Sequence, residues 1–156
     1  MKISISAIGK LGARSEERAL TDDYLKRFTQ TGRQLGWQFA GEVEADDKKS
    51  LGMAEEERLL RKAIPKGALI VTMDERGKVL SSPDFASQME RWADQGRDVA
   101  FVIGGADGIN PALRADADFS ISFGKMVWPH KLVRVMLAEQ LYRAASIKTG
   151  APYHRE

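Results

Sequence analysis

The chain has 156 residues and a mass of 17.3 kDa, which is the size of one compact domain. With 43% apolar, 8% aromatic and 29% charged residues it can bury a core, so disorder and collagen-like structure are excluded. It has no cysteine, which removes disulfides, Cys-ligated zinc, iron–sulfur clusters and thiol nucleophiles, and its two histidines make a multi-His metal site improbable. No apolar run approaches the roughly 20 residues of a membrane span, and a cytoplasmic protein with no membrane partner is expected. Net charge is +2. From Lys125 onward there are six basic residues and two acidic ones, net +4, against 18 and 20, net −2, in the remainder. A basic C-terminal segment suits a polyanionic partner such as RNA, with Lys131, Arg134, Arg143, Lys148 and Arg155 as candidate phosphate contacts.

In chain order, Lys2–Ile8 alternates with period two and predicts a strand. Ser15 is placed to cap a helix with Glu16 and Glu17 in its first turn, and Leu20, Tyr24, Leu25 and Phe28 carry it to about Gln30. Trp37, Phe39 and Val43 predict a second strand. The stretch from Asp46 to Lys66 puts Leu51, Ala54, Leu59, Leu60, Ala63 and Ile64 on one helical face, stopped by Pro65 and Gly67. Ala68–Met73 is a continuous apolar run of the kind a strand covered on both faces shows, and is expected at the centre of a parallel sheet. Ser82 as cap, Pro83 and Asp84 open a helix through Phe85, Met89 and Trp92, closed by Gly96. Val99–Ile103 is another buried strand, Asn110–Pro111 opens a short helix, and Phe119–Phe123 is a strand. A long helix from Pro129 to about Lys148 should bury Leu132, Val133, Met136, Leu137, Gln140 and Leu141. The ending APYHRE has no periodicity and should extend as a tail. The alternation argues for an α/β fold: a single domain spanning 1–156, with a mostly parallel sheet and helices on both faces.

Val99–Ile103 runs into Gly104-Gly105-Ala106-Asp107-Gly108 at the carboxyl end of a buried strand, where open α/β sheets place ligands and where missing Cβ atoms let a ligand approach the backbone. A tight strand–helix turn is the competing reading. The spacing is not G-x-G-x-x-G, no acidic residue follows at the dinucleotide distance, and Gly-Lys-Ser/Thr is absent, so dinucleotide and P-loop sites are disfavoured. The turns Met73–Lys78 and Phe123–Pro129 should reach the same edge. Three such loops would wrap a nucleoside-sized ligand between Met73, Met126 and Trp128. Trp128 as a hydrophobic staple for the last helix, His130 as a packing residue at that helix's start, and Glu139–Arg143 as a helix ion pair are the plainer alternatives.

The segment IGGADG, then FGKMVWPHKLVRVMLAEQLYRA, then PYHRE resembles the bacterial ribosomal RNA large-subunit methyltransferase H family, a minimal member of the SPOUT class, over the whole chain. The resemblance implies a C-terminal part threaded into a trefoil knot, which topology rules alone would put near zero prior. It also implies a homodimer, S-adenosylmethionine as cofactor, no metal, and methylation of N3 of a pseudouridine in 23S ribosomal RNA within the assembled ribosome. Carried onto this sequence, the cofactor pocket falls on Met73, Gly104, Gly105, Phe123, Gly124, Lys125, Met126, Val127 and Trp128. The tail's Tyr153, His154 and Arg155 are the candidate catalytic residues: Tyr153 to stack, Arg155 to pair with phosphate or a developing anion, His154 to orient or deprotonate the base. Whether a protein base takes the N3 proton or the base ionises into an Arg-stabilised site is left open by the sequence. A ribosome- or RNA-binding module without enzymatic activity is the alternative function.

Overall fold

The computed structural model describes residues 1–47 and 51–155. Five strands, β1 (Lys2–Ile8), β2 (Gln38–Ala45), β3 (Leu69–Val79), β4 (Val99–Ile103) and β5 (Phe119–Ser122), form one sheet in the order β2-β1-β4-β3-β5, and every pairing is parallel. Helices α1 (Glu16–Gly32), α2 (Met53–Ala63), α3 (Ser82–Asp94), α4 (Pro111–Asp116) and α5 (His130–Thr149) cover it. The pleat divides the apolar residues between two cores. Ile3, Ile5 and Ala7 of β1 and Val99, Phe101 and Ile103 of β4 pack with Leu25 and Phe28 of α1, Phe85 and Met89 of α3, and Leu137 and Leu141 of α5. Ile8 and Val102, of the opposite parity, meet Leu60 of α2 and Leu113 of α4 on the other face. The α/β class, the parallel sheet and the helices on both faces are as expected from the sequence.

Several boundaries differ. All five residues of β4 are buried and it sits in the middle of the sheet, so β4, not the strand begun at Leu69, is central. Residues 74–78, expected as a turn, lie within β3: Met73 and Lys78 both pair with Ile121, so residues 74–77 leave the ladder as a bulge and the strand resumes to Val79. The cap of α3 is Ser81, whose hydroxyl accepts from the Asp84 N–H; Ser82, one residue later, is already helical and its hydroxyl donates to Gln140 Oε1. Helix α2 starts at Met53 behind Gly52, leaving Asp46, Asp47 and a largely exposed Leu51 outside it; residues 48–50 of that expected helix lie outside the described residues. The caps at Ser15 and Asn110 form as the sequence implied, accepting from Arg18 N and Ala112 N.

Helix α5 departs most from expectation. It buries Leu137 and Leu141, but Leu132 is exposed, and the largest fully buried side chain is Arg134. Arg134 Nη1 donates to Glu42 Oε2 at 2.6 Å and Glu44 Oε2 at 2.8 Å, and Nη2 donates to the Gly9 carbonyl at 2.7 Å. Arg18 of α1 grips the same two carboxylates. A helical periodicity count places an arginine outside because it scores charge without seeing that two glutamates of β2 wait for it.

Candidate functional site: a cleft at the carboxyl edge of the sheet

Because all strands run the same way, the loops after β4 and β5 leave the sheet at one edge, beside the bulge of β3. They enclose a cleft of about 240 Å³, lined by Met73 and the bulge at 74–76, by Gly104–Ile109, by Phe123, Gly124, Met126, Val127 and Trp128, and by His130 and Val133 of α5. The expected cofactor residues Met73, Gly104, Gly105, Phe123, Gly124, Met126, Val127 and Trp128 therefore converge. Lys125 is the exception: it is exposed and its side chain is not among the lining.

The loop from Phe123 to Pro129 is held by its own hydrogen bonds. The Gly124 N–H donates to Ser122 Oγ, the Ser122 hydroxyl donates to the Gly124 carbonyl, and the Trp128 indole N–H donates to the Phe123 carbonyl at 3.3 Å. Gly124 sits at φ 109°, a region L side chains rarely enter, which is why the turn carries glycine. Met126 and Val127 remain 71% and 79% exposed, so the loop holds large apolar groups in solvent at the cleft mouth. Trp128 both braces the loop, through its bond to the Phe123 carbonyl, and walls the cleft.

The glycine loop is built for a different reason from the one the sequence suggested. A Cβ on Gly104 would lie 2.6 Å from the Gly108 carbonyl oxygen, and one on Gly105 would lie 2.9 Å from Ile8 Cγ2 and 3.2 Å from Glu56 Oε1. Both positions are closed by the protein's own backbone and core, so these glycines permit the tight return of the loop, bridged between Gly105 and Gly108. The competing reading of a tight turn is thus correct for their Cβ positions, although the loop so formed lines the cleft.

Several groups at this edge escaped the sequence reading. Asp74, almost fully buried, accepts from the Arg76 N–H at 2.8 Å and from Arg114 Nη1 of α4 at 3.4 Å, and so pins the bulge. Its position directly after an apolar run was the available signal. His130 Nε2 lies 3.4 Å from Asp47 Oδ2, beyond its expected packing role at the helix start. Behind the glycine loop, Glu56 Oε2 is buried without a hydrogen-bond partner, and burial, with Asp107 and Asp47 nearby, pushes its carboxyl above the usual range.

The tail does not extend. Ala151 N–H donates to the Ser146 carbonyl, and the chain folds back on α5. The Tyr153 ring packs against that of Tyr142 with centroids 4.5 Å apart and planes inclined at 50°, its hydroxyl donates to Glu139 Oε1 at 3.0 Å, and Arg143 lies over the Tyr153 ring while donating from Nη1 to His154 Nδ1 at 3.1 Å. Burial and the Glu139 carboxylate both raise the Tyr153 phenol far above its ordinary value, so it is a neutral donor at all working pH. Glu139 and Arg143 form the expected helix ion pair. Tyr153, His154 and Arg155 are together, but none of them lines the cleft of their own chain. Of the expected phosphate contacts, Arg134 is buried in its ion pairs, Arg143 is bound to Glu139 and Lys148 to Glu90; Lys131 and Arg155 have no ion pair among the described residues. The expectation for Arg134 is corrected, because a fully buried guanidinium cannot reach a phosphate. Among the described residues no group of His, Asp and Glu suited to a metal ion occurs, and no helix is long and apolar enough to cross a membrane.

An all-parallel sheet with helices on both faces and a glycine-turned cleft at its carboxyl edge defines an α/β protein, and that edge is where open α/β sheets place ligands. The family described as predicted SPOUT methyltransferase matches residues 1–154, and the chain belongs to that family. It is 64% identical over 156 residues to the ribosomal RNA large subunit methyltransferase H of Ruegeria sp. (strain TM1040), covering 99% of each chain. It is 56% identical over 156 residues to the protein of the same name from Paracoccus denitrificans, covering 100% of each. In fold it is similar to a probable methylase family protein from Haemophilus influenzae Rd KW20, with a TM-score of 0.54 at 9% identity, covering 99% of this chain and 70% of that one.

Proposed function

We propose that this SPOUT methyltransferase uses S-adenosylmethionine to methylate N3 of a pseudouridine in 23S ribosomal RNA, acting as a homodimer on the assembled ribosome in the cytoplasm. The observation that carries the reading is the convergence of Met73, Gly104–Gly105 and Phe123–Trp128 on one cleft, in a chain 64% identical over its length to a ribosomal RNA large subunit methyltransferase H. The cleft fits the cofactor's chemistry. Met73, Met126, Val127 and Trp128 offer apolar and aromatic surface to a nucleoside, and the loop backbones offer polar groups to its edges. When bound, the cofactor supplies a methyl group on a sulfonium whose leaving group is a neutral thioether, so this chain's tasks are to hold donor and acceptor in line and to accommodate loss of the N3 proton. The knot implied by the family resemblance belongs to the same proposal, with the loop after β5 as the threaded segment.

Two features support the dimer. A hollow between α1 and α5, lined by Leu20, Tyr24, Phe123, Val135 and Met136, presents apolar surface on the face that also bears the tail, and it continues through Phe123 into the cleft. The tail residues stand away from their own cleft, so a partner's tail would complete it. We assign Tyr153, His154 and Arg155 to the acceptor side on that basis. Calorimetric titration with S-adenosylmethionine, followed by transfer of labelled methyl to ribosomes lacking the modification and mass mapping of the product, tests the reading. Methyl on N3 of one 23S pseudouridine is expected, with Trp128→Ala weakening cofactor binding. A protein that binds ribosomes but does not bind S-adenosylmethionine and transfers no methyl group would establish the non-enzymatic alternative.

A further inference from the structure

The tail contact fixes more than position. Arg143 is bound through Nε and Nη2 to Glu139 Oε1, which leaves Nη1 to meet His154 Nδ1 at 3.1 Å. A guanidinium has no lone pair to offer and keeps its protons in proteins, so in this contact Arg143 donates and Nδ1 accepts. The single proton of a neutral imidazole must then sit on Nε2. An imidazolium would set an Nδ1–H against an Nη1–H, donor against donor and cation against cation. Among the described residues, the carboxylate that holds Arg143, Glu139, spends Oε1 on Arg143 and the Tyr153 hydroxyl and Oε2 on the Gln140 amide. The Arg27 guanidinium of α1 lies over the Tyr142 ring, 5.9 Å from its centroid, Tyr24 of α1 packs on the same ring, and Arg155 follows in sequence.

We propose that Arg143 is a positioning residue that locks His154 as a neutral Nε2–H donor, so that His154 holds a carbonyl oxygen beside N3 of the acceptor base and is not the base that removes the N3 proton. The inference rests on the proposed methyl transfer and on the assignment of the tail to the acceptor. In the balanced step the N3–H proton passes to solvent water, the C–S bond to the methyl breaks with its electron pair staying on sulfur, and a new N3–C bond forms. The charge that builds on the imide oxygens is met by the Nε2–H and by Arg155. This also explains why Arg143 and Glu139 are paired where an isolated helix ion pair would contribute little: the pair keeps Nη1 aimed at Nδ1.

Two measurements on the full-length protein test this. In protein labelled with ¹⁵N histidine, a two-bond proton–nitrogen correlation at neutral pH should report a bare Nδ1 and a protonated Nε2 for His154, with the His154 signals identified by their loss in His154→Gln. Arg143→Met should release that lock and return the ring to a mixture of tautomers. In methyl transfer to ribosomes, His154→Gln, which keeps an N–H donor but cannot act as a base, should retain kcat within about tenfold. His154→Phe should lose about a hundredfold or more, the range for removing one hydrogen-bond donor from a developing oxyanion. The His154→Gln rate should rise with pH along the same slope as the wild type. A protonated Nδ1, or a His154→Gln as inactive as His154→Phe with the pH slope gone, overturns the inference. A wild type that binds cofactor yet methylates no pseudouridine refutes the substrate reading instead, and the nitrogen spectrum still decides the tautomer.

Discussion

Replacing Arg134 by methionine tests the buried ion cluster that ties α5 to β2. The side chain is fully buried, while the Glu42 and Glu44 side chains are 12% and 22% exposed. Methionine keeps the alkyl volume but strips three donated hydrogen bonds, leaving the Gly9 carbonyl unpartnered and both carboxylates dependent on Arg18. Breaking a buried pair by removing one partner costs about 3–5 kcal/mol. Because water reaches both glutamates and Arg18 remains, the lower end applies, about 3 kcal/mol, or roughly 6–12 °C in Tm for a domain of this size. The effect depends on pH in a defined direction. Burial raises the Glu44 carboxyl, but the Leu11 N–H and the Arg134 guanidinium outweigh it and hold the carboxyl below its usual range. A group lowered on folding adds stability above its ordinary value and loses it as pH falls through the lowered one. Wild type and Arg134→Met should therefore differ most near neutrality and converge below about pH 4. Thermal unfolding by circular dichroism across that range measures both curves. A loss under about 1 kcal/mol at pH 7 would refute the cluster as a stabilising element, and Arg134→Met/Glu44→Gln recovering part of the loss would show the coupling directly.

Gly105→Val should fail first by overpacking, since its Cβ meets Ile8 at 2.9 Å; a loss of about 1–3 kcal/mol is expected together with weaker S-adenosylmethionine binding, and an undestabilised variant would contradict the packing. Glu56→Gln should be more stable than wild type at neutral pH, because burial with Asp107 and Asp47 nearby raises the Glu56 carboxyl and penalises the charged form; the advantage should shrink as pH falls through that raised value, and parallel pH curves would count against it. Removing residues 153–156 should abolish methyl transfer while calorimetry finds S-adenosylmethionine affinity unchanged, since no tail residue lines the cleft; loss of the dimer in sedimentation, with activity falling only in proportion, would make the tail a packing element.

The sequence by itself determined what depends on neighbours in the chain. Alternation in Lys2–Ile8, the caps at Ser15 and Asn110, and the five apolar residues of Val99–Ile103 are local signals, and each became the element they imply. The cleft was legible for a related reason: in a parallel sheet every strand's carboxyl end faces one edge, so the loops leaving β4 and β5 had to meet there, although the segment beside them is a bulge of β3 and not the turn the sequence implied. Tertiary structure decided whatever depends on partners distant in sequence. Arg134 is buried because Glu42 and Glu44 lie 92 and 90 residues away on β2, and no periodicity encodes that. The bulge at 74–77 exists because β5, arriving some forty residues later in the chain, pairs with β3 both before and after it. Gly104 and Gly105 looked like space for a ligand, yet Gly108 and Ile8 fill it. The tail, which has no apolar periodicity, folds back because the side chains of α5 supply a ring, a carboxylate and a guanidinium in register with Tyr153 and His154. Burial of charge and return of a polar segment both require a complementary partner, and only the folded chain says where that partner is.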